Sequence, residues 1–290
     1  MITESKIPSD KLFFHGSRLN SKLLKINPPT VDSIFFVTSD LDYADMYAFD
    51  ENSGPNIYVV TLNENANVFV PWKSSDRDKL DYPNDVKDIL AFENHYHDPI
   101  DVFNTLNDIV YYSKIFKEHH MNWQEIYYGY ISKWYSGDYE KEQQIMEMLE
   151  AVRFFEKKIP GVFEQKDAAE KLRTEFCKDL KKAGFQMYCT QELTKSISDI
   201  KIKRYGDKNL SGDKKKSYTS AASNTCYGIF DVAALDSLYP IPLDKDIVEK
   251  AVKELRKNYN EYEKSDDFNK DYTTSNNLLK SFIQEYKKRC

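Results

Sequence analysis

Strand-forming sequence occupies two separate stretches of this chain, 10–70 and 184–240, and the residues between them read as helix. The first stretch holds Leu12-Phe13-Phe14, Ile34-Phe35-Phe36-Val37-Thr38, Ile57-Tyr58-Val59-Val60-Thr61-Leu62 and Val68-Phe69-Val70. The second holds Gly184-Phe185-Gln186-Met187-Tyr188-Cys189-Thr190 and Cys226-Tyr227-Gly228-Ile229-Phe230-Asp231-Val232. From Val86 to Leu180 the chain is charged, aromatic and almost without glycine. Runs such as Ile145–Val152 and Ala168–Arg173 suit helix by propensity and by apolar spacing. Pro83, Pro99 and Pro160-Gly161 punctuate them. The pattern predicts an α+β fold whose sheet is built from both ends of the chain. Residues 1–71 form the first half of the core, 72–183 a helical insertion, 184–243 the second half, and 244–290 a helical C-terminal tail.

A chain of 290 residues buries roughly three quarters of its unfolded surface and needs no staples. Its four cysteines, Cys177, Cys189, Cys226 and Cys290, show no Cys-x-x-Cys spacing, which argues against a disulfide framework or zinc site and fits a reducing cytoplasm. No apolar run is long enough to span a bilayer, and Met1–Lys6 lacks the apolar stretch of a secretory signal. The expected setting is therefore cytoplasmic, in its own cell or a host, with no membrane partner. His95 with His97, and His119 with His120, lack the acidic or cysteine partners of a zinc site and read as solvated. The net charge of −6 argues against a broad basic face for nucleic acid. A local basic patch remains: between Asp199 and Tyr218 seven basic residues (Lys201, Lys203, Arg204, Lys208, Lys214, Lys215, Lys216) stand against three aspartates. That loop reads as a solvated tether, or as a phosphate-binding segment.

The segment 12–48 carries the chemistry. An apolar strand runs into His15-Gly16-Ser17, placing a histidine at a strand end. The second strand leads into Ser39-Asp40-Leu41-Asp42-Tyr43-Ala44-Asp45-Met46-Tyr47. Ser39 with Asp42 reads as a capping box. Tyr43 and Tyr47 fall on one helical face. Phe35 and Phe36 alternate along a strand, so one of them belongs to the core.

These residues resemble the first two motifs of the ADP-ribosyltransferase fold, the superfamily of poly(ADP-ribose) polymerases, rifampicin-modifying transferases and RNA 2′-phosphotransferases. Its members carry a strand ending in His-Gly-Thr or His-Gly-Ser. An Ile/Val-Tyr-Phe-x-Thr/Ser strand comes next, and then a helix with Ala and an aromatic, here Ala44 and Tyr47. The departure is Phe35, where many members have tyrosine: the ring face survives and the hydroxyl does not. The order Gly-Phe-Gln-Met-Tyr-Cys-Thr-Gln-Glu, a loop, then Tyr-Gly-Ile-Phe-Asp-Val is similar to the end of several divergent transferases, phage-associated ones included.

The resemblance implies a split β-sheet core and NAD as substrate, with no metal. His15 would bond an NAD ribose hydroxyl, and the Gly16 backbone would pair with the nicotinamide amide. A residue without Cβ allows that close approach. Ser17, Phe35, Thr38, Tyr43 and Tyr47 would line the cofactor, with Tyr47 and either Phe35 or Tyr43 stacking. Glu192 would be the acid that stabilises the oxocarbenium-like state and orients the acceptor, with Asp231 as the fallback. His15 and Glu192 are expected to converge within about 10 Å, on neighbouring central strands or strand ends. The implied function is NAD-dependent mono-ADP-ribosyl transfer, most simply to a protein, by a phage- or toxin-like effector. The alternatives keep the fold with nucleic acid, a small molecule or water as acceptor, or make the chain a non-catalytic binding module. An RNA 2′-phosphotransferase would need further arginines around the phosphate.

Overall fold

The structure, a computed structural model, describes residues 12–17, 24–41, 43–44, 48, 56–91, 99–119, 141–192, 224–251, 253 and 272–289, with backbone alone for 112–119, 141–146, 191–192, 224–225, 272–276 and 289. In chain order the strands are β1 (Phe13–Gly16), β2 (Phe35–Thr38), β3 (Ile57–Val60) and β4 (Val68–Phe69). The helices α1 (Ser74–Arg77), α2 (Asn84–Ile89), α3 (Pro99–His119), α4 (Lys141–Lys158) and α5 (Ala168–Lys182) follow. Then come β5 (Met187–Glu192), β6 (Asn224–Ile229), β7 (Ile241–Pro242) and α6 (Tyr272–Arg289). The fold is α+β: the strands form one mixed seven-stranded sheet in the order β4-β5-β6-β2-β1-β3-β7. Among the described strands only β4 and β5 pair in parallel, with Val68 opposite Met187 and Phe69 opposite Tyr188. A parallel pair needs a crossover connection, and here α1 to α5 make it.

Pleating sends alternate residues to opposite faces, and each face is covered differently. On one face Phe13, Val37, Val60, Val68, Met187, Cys189, Tyr227 and Ile229 form a core closed by loop residues such as Ile26, Ala66 and Ala234. The other face has two separate covers. Over β4 and β5, Phe69, Phe185, Tyr188 and Phe230 meet the helical block through residues including Phe103, Phe155, Leu172 and Phe176. Over β1, β3 and β7, Phe14, Ile57, Val59 and Ile241 meet Leu279 and Ile283 of α6. Between the covers lie β2 and β6.

The block is pinned by polar contacts as well. Tyr82 donates to Asp179 at 2.5 Å, and Lys158 reaches the same carboxylate oxygen at 2.6 Å. At its exit, α5 carries Lys181 and Lys182 in its last turn, and Gly184 takes a φ of 91° that favours glycine. The Phe185 N–H returns to the Leu180 carbonyl at 2.9 Å, so the expected lysine–glycine stop aims the chain into β5. Past β6, Asp231 caps a 3₁₀ turn through the Ala233 N–H at 3.0 Å and pairs with Lys181 of α5 at 2.8 Å.

Candidate functional site

β1 keeps company with β3 throughout its length but leaves β2 early. Four residue pairs join β1 to β3, whereas a single one, Phe14 opposite Thr38, joins β1 to β2. Beyond that pair the β1–β3 ladder runs on, with the Ser17 N–H on the Asn56 carbonyl at 2.9 Å. Backbone groups in an antiparallel strand point alternately to the two neighbours. Ser17 faces β3, so the Gly16 peptide groups face β2, at the point where the registered ladder has ended. The His15 side chain reaches across to β2: its Nδ1 donates to the Phe36 carbonyl oxygen at 2.9 Å.

A carbonyl oxygen only accepts, so Nδ1 carries the proton and Nε2 presents a lone pair for any ligand. Burial pulls the His15 pKa below its ordinary value, and the bond to Phe36 offsets this only in part. The imidazole is therefore neutral near pH 7. Its ring lies 4.5 Å from that of Phe35, tilted by 36°.

Of the two phenylalanines of β2, Phe35 packs on the loop-closed core and against His15. Phe36 points to the other face, into the strip between the two covers, and is 39% exposed. Gly228 lies opposite Phe36 on β6. Tyr188 crosses over that glycine so closely that a Cβ there would come within 2.4 Å of its ring. The Tyr188 ring meets Phe36 edge-on at 6.5 Å and fixes it from the β6 side. The ring face that the seam offers is thus Phe36, a residue that sequence alternation alone leaves level with Phe35.

Thr38 is buried, and its hydroxyl accepts the Asp40 N–H at 3.1 Å. Asp40 caps the following helix, accepting the Tyr43 N–H at 3.2 Å. The cap is therefore Asp40, one residue on from the expected Ser39, with its own N–H held by the Thr38 hydroxyl; Asp42 lies outside the described residues. Tyr43 is 2% exposed and packs on Cys226, a position in the core. Tyr47, the histidines at 95, 97 and 120, and the basic cluster at Lys201, Lys203, Arg204, Lys208, Lys214, Lys215 and Lys216 lie outside the described residues.

Glu192 ends β5, opposite Asn224. It does not share a neighbouring strand with His15, because β6 and β2 stand between β5 and β1. Three strand spacings amount to about 14 Å. The row through Val37, Tyr227 and Cys189, which the β1 register extends to His15, ends three residues short of Glu192. Asp231 is engaged structurally: burial works against its charge, but Lys181 and the Ala233 N–H outweigh this and hold its pKa below the ordinary value. Asn56, beside Ser17, carries a buried side-chain nitrogen, Nδ2, without a hydrogen-bond partner. Nothing local in the sequence marks it.

A depression of about 430 Å³ lies elsewhere, between α3 and the turn Val162–Glu164, lined by Asn107, Asp108, Tyr111, Glu164 and Lys166. It contains none of the seam residues. Among the described residues no three His, Cys, Asp or Glu side chains stand together as a metal group, and no helix is long and apolar enough to cross a membrane. No protein-family model, curated protein or solved structure matches the chain.

Proposed function

We propose that the chain is an NAD-dependent mono-ADP-ribosyltransferase of the split-sheet type, with the β1–β2 seam as its dinucleotide site and a macromolecule, most simply a protein, as acceptor. The observation that carries the reading is the parting of β1 from β2 at Gly16. A glycine peptide facing an open seam can pair with a planar carboxamide much as it would with the missing strand. Phe36 gives that ligand an aromatic surface, and the neutral His15 gives it an acceptor nitrogen. A ligand in the seam meets both faces of the sheet at once. The His-Gly-Ser strand and the aromatic strand that resemble the transferase motifs are the two that flank this seam.

Chemically, nicotinamide leaves as the bond to C1 of the ribose breaks, and the acceptor nucleophile forms a bond to the same carbon. Positive charge develops on the sugar between the two events, so a carboxylate held near it is the largest electrostatic help available. Glu192 enters that role through the resemblance alone, with β6 and β2 standing between its strand and that of His15.

The test is nicotinamide release from NAD by wild type, His15→Ala and Glu192→Gln. Wild-type release is expected, with weaker NAD binding as well as turnover in His15→Ala. If Glu192 is the acid, Glu192→Gln loses roughly a hundredfold in turnover with binding retained. Equal turnover would remove Glu192 from the mechanism and leave the seam. Absence of release from wild type, with or without candidate acceptors, would turn the seam into a binding module. Labelled NAD offered with protein and nucleic acid would identify the acceptor.

A further inference from the structure

We infer that Asn56, at the start of β3 and across β1 from the seam, is a ligand-holding residue, and that its amide and the His15 imidazole bracket one vicinal diol, the 2′,3′-hydroxyls of a ribose. The identity of the sugar rests on the dinucleotide reading; the donor–acceptor pair does not. The Asn56 carbonyl accepts the Ser17 N–H, one rung beyond the Gly16–Ile57 pair, while His15 lies opposite Tyr58. Asn56 and Tyr58 are two residues apart, so Asn56 and His15 share a sheet face as diagonal neighbours, about 7 Å apart.

A buried amide donor without an acceptor is uncommon and unfavourable. Asn56 Nδ2 is such a donor. A partner that arrives with a ligand accounts for it. The chemistry of the pair selects the ligand group. Asn56 Nδ2 can only donate, and His15 Nε2, with Nδ1 committed to Phe36, can only accept at neutral pH. A phosphate accepts without donating and leaves His15 unmatched, and a cation has nothing to offer Asn56. A hydroxyl does both, and two adjacent hydroxyls take one donor and one acceptor together.

The experiment uses the full chain, with NAD, ADP-ribose and nicotinamide as probes. The first measurement follows the Asn56 side-chain amide resonances of wild type on adding NAD or ADP-ribose; both should shift them, and nicotinamide should not. The second compares Asn56→Ala. Its melting temperature without ligand should equal or exceed that of wild type, because an unpaired donor has been removed. Its affinity for NAD and ADP-ribose should fall about tenfold or more. A lowered melting temperature with unchanged affinity would make the amide structural and overturn the inference. So would NAD turnover in wild type with Asn56 unmoved, which leaves the transferase reading standing. ADP-ribose binding that shifts Asn56 without any nicotinamide release does the reverse. Failure of wild type to bind either nucleotide overturns both.

Discussion

A neutral imidazole held inside a fold makes stability depend on pH, and His15 is such a group. Its folded pKa is depressed below the ordinary 6.5. Below that pH the unfolded chain binds a proton that the folded chain does not, so stability falls as pH drops, until it levels off under the folded pKa. His15→Gln should therefore lose stability less steeply than wild type between pH 7 and 5 in denaturant titrations; parallel slopes would show that His15 titrates alike in both states. Gly228 allows a second test. An alanine Cβ meets the Tyr188 ring at 2.4 Å, and overpacking of this kind costs about 1–3 kcal/mol. Gly228→Ala should be destabilised to that extent, and combined with Tyr188→Leu it should cost less than the sum of the two changes. Independent, additive costs would mean that the ring does not lie where the structure has it. At this scale the sequence was only half legible. Alternation separates Phe35 from Phe36, but which of them faces the exposed strip depends on where the helical block and α6 stop, and both are set by distant residues.

Elements were more legible than their arrangement. Strand segments, the helical stretch and the glycine stop after α5 all follow local signals, and they occur close to where the sequence puts them. Register and strand order do not follow local signals. The tyrosine-bearing strand and the Phe-Asp strand are recognisable in sequence, yet only pairing reveals that β6 lies between β5 and β2 and carries Glu192 away from His15. The helix start slipped by one residue for a similar reason: Ser39 and Asp40 are both good caps, and the bond from the Asp40 N–H to Thr38 decides between them. The link between α5 and the end of β6 is testable by acid. Asp231 has a folded pKa below its ordinary 3.8, so the pair with Lys181 contributes stability above that pH, lost as pH falls through the folded pKa. Lys181 is exposed over half its side chain, 54%, which keeps the effect small. Asp231→Asn should be less stable than wild type at pH 6 and should approach it near pH 2. An unchanged difference between the two pH values would show that the loss does not come from the ion pair.

For the whole molecule the decisive feature is the interleaving of the sheet. Strands from the first seventy residues and strands from beyond residue 186 are interleaved across it: β5 and β6 stand between β4 and β2, and β7 lies beside β3. A fragment 1–183 therefore lacks the strands that separate β4 from β2. It should show helix by circular dichroism without the protected amides of a formed sheet, and adding 184–290 should restore them. Slow amide exchange in β1 to β3 of the fragment alone would show that those strands need no partner from the other end. During synthesis the same geometry sets a waiting time. Thr38 pairs with Cys226, and a ribosome adding about 5–20 residues per second takes on the order of ten seconds or more to travel from one to the other. Throughout that interval Phe35, Phe36 and Val37 have emerged with their pairing edge unfilled, the kind of exposed strand that templates aggregation. Aggregation during synthesis is therefore expected to be set by that interval, between the emergence of β2 and the arrival of β6.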